Sequence, residues 1–309
     1  MKNKIIKIIV SVLIINMIMT GCNSLGQADN TGNNNMDIYP LTIIDSYENE
    51  VIIEEMPNRV ISIAPSITEI IFNLGLEDKL VGRTDFCNFP LEAESIESIG
   101  SLTSPNIEKI IELEPDLIIA STHFQKEVYD KLSELQIKLL VLDSKGSFDG
   151  VYMTIEKIGK VFNVNNKALE LIRHMKSTVE EVLDKLKDEP KPTVYYVVGF
   201  GEYGDFTAGG DTFINDMLEM AGAINIASEV TGWKYSLERI IEQDPHMLIV
   251  SKYYNTKDEI MVANGYSELT AIKEGRVYEI DNNLLDRQGP RIALGLKELA
   301  KIVHPNLFE

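Results

Sequence analysis

The chain has 309 residues, 44% of them hydrophobic, and carries 29 basic against 48 acidic side chains for a formal charge of −19. That length exceeds what one hydrophobic core usually supports and makes two domains the prior. So acidic a balance excludes nucleic acid and anionic lipid surfaces as partners, since both select basic patches.

Residues 1–21 belong to neither domain. Lys2, Lys4 and Lys7 precede an apolar run over residues 5–19 that is too short and too one-sidedly flanked to span a membrane, and small residues follow. This is an export signal. Met19-Thr20-Gly21-Cys22 resembles the lipobox of bacterial lipoproteins, so Cys22 is the expected lipidation site and new N-terminus, and the cell membrane's extracytoplasmic face the expected location. An uncleaved anchor helix would reach the same face. Residues 22–37 then comprise the anchored Cys and a Gly-, Asn-, Asp- and Thr-rich tether with little to bury. Its reach is on the order of 20–25 Å. Loss of the three lysines with the signal takes the formal charge from −19 to −22. With Cys22 acylated, Cys87 has no disulfide partner.

The folded part begins at residue 38. Residues 41–55 read as a hairpin turning near Glu48 and Asn49, and residues 59–63 as a buried strand. Ala64-Pro65-Ser66 opens a helix with Ile67, Ile70, Ile71 and Leu74 at core spacing. Strands at 80–82, 117–120 and 138–142 alternate with helical segments, the pattern of a mainly parallel α/β sheet. Residues 165–187 predict one long helix with a stripe of Leu169, Ile172, Val179, Leu183 and Leu186, ended by Pro190 and Pro192. At 1.5 Å per residue it spans about 35 Å, the width of a domain, which suggests a bridge between lobes. The pattern then restarts with a strand at 193–198 and a helix at 211–221, and closes with a strand at 277–280 and a helix at 291–303.

The restart is also a repeat. Asn106-Ile-Glu-Lys-Ile-Ile-Glu-Leu-Glu-Pro-Asp-Leu-Ile-Ile119 returns 130 residues later as Ser236-Leu-Glu-Arg-Ile-Ile-Glu-Gln-Asp-Pro-His-Met-Leu-Ile249, with six of fourteen positions identical. In each half a similar stretch separates the opening strand from the phrase, 47 residues from Arg59 and 43 from Thr193, so chance similarity is a poor explanation. Each copy reads as a capped helix stopped by a proline and followed by a strand. Asn106 and Ser236 are the expected N-caps. Ile107, Ile110 and Ile111, and their counterparts Leu237, Ile240 and Ile241, form the expected core stripe. Glu108 and Glu238 then face outward, followed at i+4 by Glu112 and Glu242. Glutamate in a first turn complements the helix dipole by about 0.3–1 kcal/mol. The like-charged i+4 pair opposes that, so paired sockets for basic partners are the sharper reading.

Catalytic signatures are lacking. Gly199-Phe-Gly-Glu-Tyr-Gly204 matches a dinucleotide motif and follows a strand, but the next helix begins near Asp211 and no N-terminus meets a pyrophosphate in the loop. The four histidines, at 123, 174, 246 and 304, are scattered, leaving His123 in a strand-end loop as a weak candidate metal ligand. There is no G-x-S-x-G and no triad pattern. Strand-end loops do hold Phe86, Phe89, Phe124, Phe200, Tyr203, Tyr253 and Tyr254, and Trp233 and Tyr235 precede the second repeat. Ligands of open α/β sheets bind beyond such ends, and this set favours a flat, largely apolar molecule.

Residues 59–69, 80–90, 99–116, 210–215 and Gly289-Pro-Arg291 together resemble the substrate-binding proteins of ABC importers for cobalamin and iron complexes, the helical-backbone metal receptors. The likeness covers nearly all of the mature chain. It implies two Rossmann-like α/β lobes with mainly parallel sheets over 38–164 and 190–309, a single rigid bridging helix over 165–189, and a ligand cleft between the lobes. It also implies a protein that is not an enzyme, holds no cofactor, acts as a monomer, and delivers a small metal-organic ligand to an ABC permease with its cytoplasmic ATPase. Glu108 and Glu238 match the family's permease-docking glutamates. The turn at 86–90, Trp233 and Asp286-Arg287 look most like the cobalamin branch. Phe86, Trp233 and Arg287 are thus the expected ligand contacts, joined by Phe200 and Tyr253 from the aromatic loops. Leu102 stands near where cobalamin binders carry a Trp, which leaves a ferric siderophore or haem open beside a corrinoid. A ligand sensor and a surface α/β enzyme are the alternatives from other classes.

Overall fold

The computed structural model describes residues 38–121 and 125–308. The signal, Cys22, the tether, His123 and Phe124 lie outside the described residues. Strands β1 (Leu41–Ile44) and β2 (Glu50–Ile53) form the expected hairpin. Its turn closes where Asp45 accepts hydrogen bonds from the backbone of Tyr47 and Asn49 and Glu48 takes a left-handed φ of 64°.

Strand β3 (Val60–Ile63) is buried along its whole length, as a strand covered on both faces must be. It leads into α1 (Pro65–Asn73), where Pro65 occupies a first-turn position whose missing N–H would have had no partner. Next come β4 (Leu80–Arg83), α2 (Ile107–Glu112), β5 (Leu117–Ala120), α3 (Lys126–Glu134), β6 (Leu139–Val141) and α4 (Phe148–Val161). The four strands pair in parallel in the order β4-β3-β5-β6.

Helix α5 (Asn165–Lys185) separates the strands of this sheet from all later ones in sequence and packs against α4. Its buried stripe differs from the expected one. Ala168, Ile172, Met175, Val179, Val182 and Leu186 turn inward, whereas Leu169 and Leu183 are exposed. The inward set steps alternately by four and three residues and so keeps to one side of the helix, while Leu169 and Leu183 sit about 100° further round.

The second half contains β7 (Thr193–Val197), β8 (Asp205–Phe206), α6 (Phe213–Met220), β9 (Ile224–Asn225), β10 (Lys234–Tyr235), α7 (Leu237–Gln243) and β11 (Met247–Ser251). It continues through α8 (Thr256–Val262), α9 (Thr270–Lys273), β12 (Val277–Ile280), α10 (Asn283–Asp286) and α11 (Ile292–Val303), the last packed on α5. Its parallel sheet runs β9-β7-β11-β12, the order of the first sheet strand for strand. In both, the opening strand lies between the second strand and the one that follows the repeated helix. The sequence repeat is therefore also a repeat of topology. The antiparallel pair of β8 and β10 was not expected; its residues are too few to carry a period.

The repeated helices cap as anticipated, Asn106 accepting from the Lys109 amide at 3.1 Å and Ser236 from that of Arg239 at 3.3 Å. Their core stripe is narrower than expected. Ile110 and Ile240 are fully buried, but Ile111 is 48% and Ile241 37% exposed. Each helix has under two turns before a left-handed residue, Glu114 or Asp244, ends it ahead of a proline. A helix that short packs one line of side chains on its sheet and turns the neighbouring residue outward. Replacement of Ile110 or Ile240 by Ala is expected to cost about 2–5 kcal/mol by urea unfolding, and of Ile111 or Ile241 well under about 1 kcal/mol. Equal costs at the paired positions would contradict this packing.

Candidate functional site

Both sheets end on the same cleft. Residues just past the strand ends of the first half, namely Ala64 to Ser66, Ser121, Leu142 and Ser144, line a pocket of about 190 Å³ together with Asp286, Arg287 and Gln288 of the second half. At and past the strand ends of the second half, Ser251, Val198 and Asn282 line a pocket of about 250 Å³ with Tyr196, Trp233 and Asp286. Asp286 belongs to both, so the two are parts of one cleft at the carboxyl ends of parallel strands, where open α/β sheets bind ligands.

The walls are mostly apolar or neutral. Trp233 ends the approach to β10 and leaves 47% of its surface exposed. Asp286 and Arg287 are the charged side chains among the described lining residues of these two pockets. Arg287 is already engaged: it donates to Asn88 Oδ1 at 2.9 Å and lies 3.4 Å from Glu69 Oε1. The Glu69 side chain has no exposed surface and accepts two further bonds from Arg291, at 2.9 Å from Nε and 2.6 Å from Nη2. The Arg291 guanidinium in turn lies 3.7 Å from the centre of the Phe89 ring. The protein packed around the Asp286 carboxyl pushes it above its ordinary value although the residue as a whole is exposed, which tempers the effect, and the Asn282 amide at 2.7 Å and Arg287 act in the opposite sense.

The expected site residues do not all meet. Trp233 and Arg287 line the cleft, and Phe86 is exposed on the turn whose Asn88 holds Arg287. Phe200 instead packs edge-on against Tyr266 at 5.7 Å and lines a separate pocket with Glu202, Asp205 and Leu237. The Tyr253 hydroxyl is used within its own lobe, donating to Asp281 at 3.0 Å and accepting from Asn283 at 2.9 Å. Cys87 is buried beside Thr84, and burial pushes its thiol up, away from reactivity. Among the described residues no group of three or more His, Cys, Asp or Glu could hold a metal ion. Sequence reasoning missed Ser66, Ser144, Val198, Asn282 and Gln288. Ser66, Ser144 and Val198 lie within three residues of a strand end, so strand-end position was the usable signal, but none has an aromatic ring or charge to draw notice.

Glu108 and Glu238 are exposed on the first turns of α2 and α7. The basic residue after each is drawn elsewhere, Lys109 to Glu97 at 2.5 Å and Arg239 over the Tyr235 ring at 4.7 Å. Neither glutamate has an ion-pair partner among the described residues.

Residues 60–284 match the model of a protein family described as periplasmic binding protein. The chain is 33% identical over 308 residues to an uncharacterized ABC transporter substrate-binding lipoprotein, YvrC, of Bacillus subtilis, covering 97% of each chain. It is 27% identical over 279 residues to a cobalamin-binding protein of Halobacterium salinarum, covering 86% of this chain and 74% of that one. Among solved structures it is similar to a possible iron-binding (periplasmic solute-binding) protein of Staphylococcus epidermidis, with a TM-score of 0.71, 30% identity, and coverage of 81% of this chain and all of the other.

Because the Asp286 pKa is raised in the folded protein, its contribution to stability is lost as pH rises from the unfolded value, about 3.9, through the folded one. Asp286→Asn is expected to raise the melting temperature at pH 7, with the gain vanishing below about pH 4, where both side chains are neutral. Thermal unfolding across that range checks it; a pH-independent difference would refute the assignment.

Proposed function

From a chain that belongs to the periplasmic binding protein family, and within it to the ABC-type substrate-binding proteins of the cobalamin, siderophore and haem group, we propose a receptor that captures a corrinoid and delivers it to an ABC permease. The relatives are binding proteins of transporters, not enzymes. The supporting observation is the cleft itself: a half-exposed Trp233 and largely apolar strand-end walls, with Arg287 committed to Glu69 and Asn88. A corrinoid is a broad ring system whose rim carries amides, so it asks for an aromatic wall and scattered polar groups such as Ser66, Ser144, Asn282 and Gln288. Haem carboxylates and anionic ferric chelates would ask for free cations. The pockets, at about 190 and 250 Å³, are smaller than most ligand sites, so such a macrocycle would sit edgewise with much of its rim in the open mouth.

In this reading Cys22 anchors the chain by its lipid to the extracytoplasmic face of the membrane, residues 22–37 are the tether, and 165–189 form the bridge between lobes at 38–164 and 190–309. The protein works as a monomer. Glu108 and Glu238 are the permease contacts, one per lobe, where charge complementarity sets encounter and register. Two features support this: the glutamates occupy the same position of the same capped helix in each repeat, and their neighbouring bases are pulled away.

Trp233 is the sole tryptophan and reports on the cleft directly. Titration of the full chain with cyanocobalamin, haem and a ferric siderophore, corrected for absorbance, is expected to give saturable quenching by cyanocobalamin. Saturation by haem or siderophore alone would replace the ligand class. Reversal of both docking carboxylates, Glu108→Lys with Glu238→Lys, should leave that titration unchanged while ligand-dependent growth collapses; unaffected growth would refute the docking role.

A further inference from the structure

In the segment Arg287-Gln-Gly-Pro-Arg291, Arg287 is an expected ligand contact and Gly289-Pro-Arg291 only part of a resemblance, and nothing in ligand capture requires all of it. Four of its residues touch the first half of the chain. Arg287 reaches Glu69 and Asn88, and Gln288 accepts a hydrogen bond from Ser144. Arg291 holds both Glu69 oxygens and covers Phe89. Gly289 lies against the start of α1 so closely that a Cβ added there would meet Ser66 Cα at 3.2 Å and its carbonyl oxygen at 3.3 Å. Contacts of this density, made from successive residues of one turn, fix a surface in both position and rotation.

The location gives the contacts a role. Arg287 and Gln288 also line the cleft, whereas Glu69 and Arg291 do not. The interlobe contact therefore runs through the cleft's own wall. We propose that residues 287–291 are a clasp that sets the separation of the two lobes, with Glu69 and Arg291 as positioning residues that act through Arg287 and never touch ligand. The clasp is a second tie beside α5, made of one buried carboxylate shared by two guanidiniums and one glycine contact. Because the ties constrain the lobes at two places in the chain, loosening the clasp changes the width of the cleft and the spacing of the faces carrying Glu108 and Glu238. The inference stands on this geometry and is independent of which ligand is carried.

The test needs no ligand. Genetically encoded spin labels at the exposed positions 134 on α3 and 258 on α8 leave both cysteines untouched and report the distance between lobes by pulsed electron resonance. The wild-type chain is expected to give one narrow distribution. Glu69→Gln, and Arg291→Lys, which keeps the charge but loses the fork, should widen it about two-fold or shift it by a few Å, as should Gly289→Val by wedging against Ser66. Arg291→Lys and Gly289→Val remove no charge, so they carry the test should Glu69→Gln fail to fold. Distributions that superpose on the wild type would overturn the proposal, and so would a lowered unfolding midpoint with an unchanged distribution, which would make these residues merely part of the core.

Discussion

A carboxylate without solvent contact cannot be left alone, and Glu69 is such a group: its neighbours must supply what water would have. Removal of one partner from a buried ion pair typically costs about 3–5 kcal/mol, so the guanidinium of Arg291 is held where the helix α1 puts Glu69. That requirement propagates. Arg291 is the N-cap residue of α11, and α11 packs on both α5 and α6, so the position of the second lobe follows from a charge carried by the first. Arg287, four residues earlier, shares the same carboxylate and becomes part of the cleft wall. One ion cluster thus couples lobe placement to the chemistry that a ligand meets.

The duplication explains why the cluster is needed. Each half builds a parallel sheet of identical strand order, and each sheet buries its strands under its own helices, leaving no shared strand to join them. Parallel strands all deliver their carboxyl ends to one edge, so two such units set side by side create a cleft but nothing in the duplicated part closes it. The closing contacts come from outside the repeated phrase, from α5 between the halves and from residues 287–291 after the last strand. Duplication made the walls; the unduplicated segments set the distance between them.

Much of this was legible in the sequence because it is local. The buried strand at 60–63, the N-caps Asn106 and Ser236, and the proline stops at 115 and 245 are each specified within a few residues. What was misread depends on length and partners. Ile111 and Ile241 fit a helical core stripe, but helices of six and seven residues have room for one packed line. Leu169 and Leu183 fit the period of α5 loosely, and the tighter 4-3 spacing through Met175 and Val182 prevailed. Arg287 lines the cleft, but nothing near it in sequence announces its partner Glu69, 218 residues away. Likewise Phe200 looked like its neighbours in strand-end loops until Tyr266 claimed its ring.

The charge of the molecule bears on its ligand less than its size suggests. A net −19 creates a repulsive field for anions at long range, but at physiological ionic strength that field decays over about 8 Å, and within the cleft only nearby groups count. There the tally is close to neutral: among the lining residues Asp286 offsets Arg287, and the raised Asp286 carboxyl moves the balance toward positive only where it takes up a proton. The outer surface therefore discourages anions without attracting cations into the site, and discrimination falls to shape and to the aromatic wall. Acidity is better placed on the outward faces, where Glu108 and Glu112 on one lobe and Glu238 and Glu242 on the other stand exposed on first and second turns. Under the proposed function, an acidic body with a near-neutral cleft would separate two tasks that one charge pattern could not serve: meeting a basic permease surface and holding a corrinoid within.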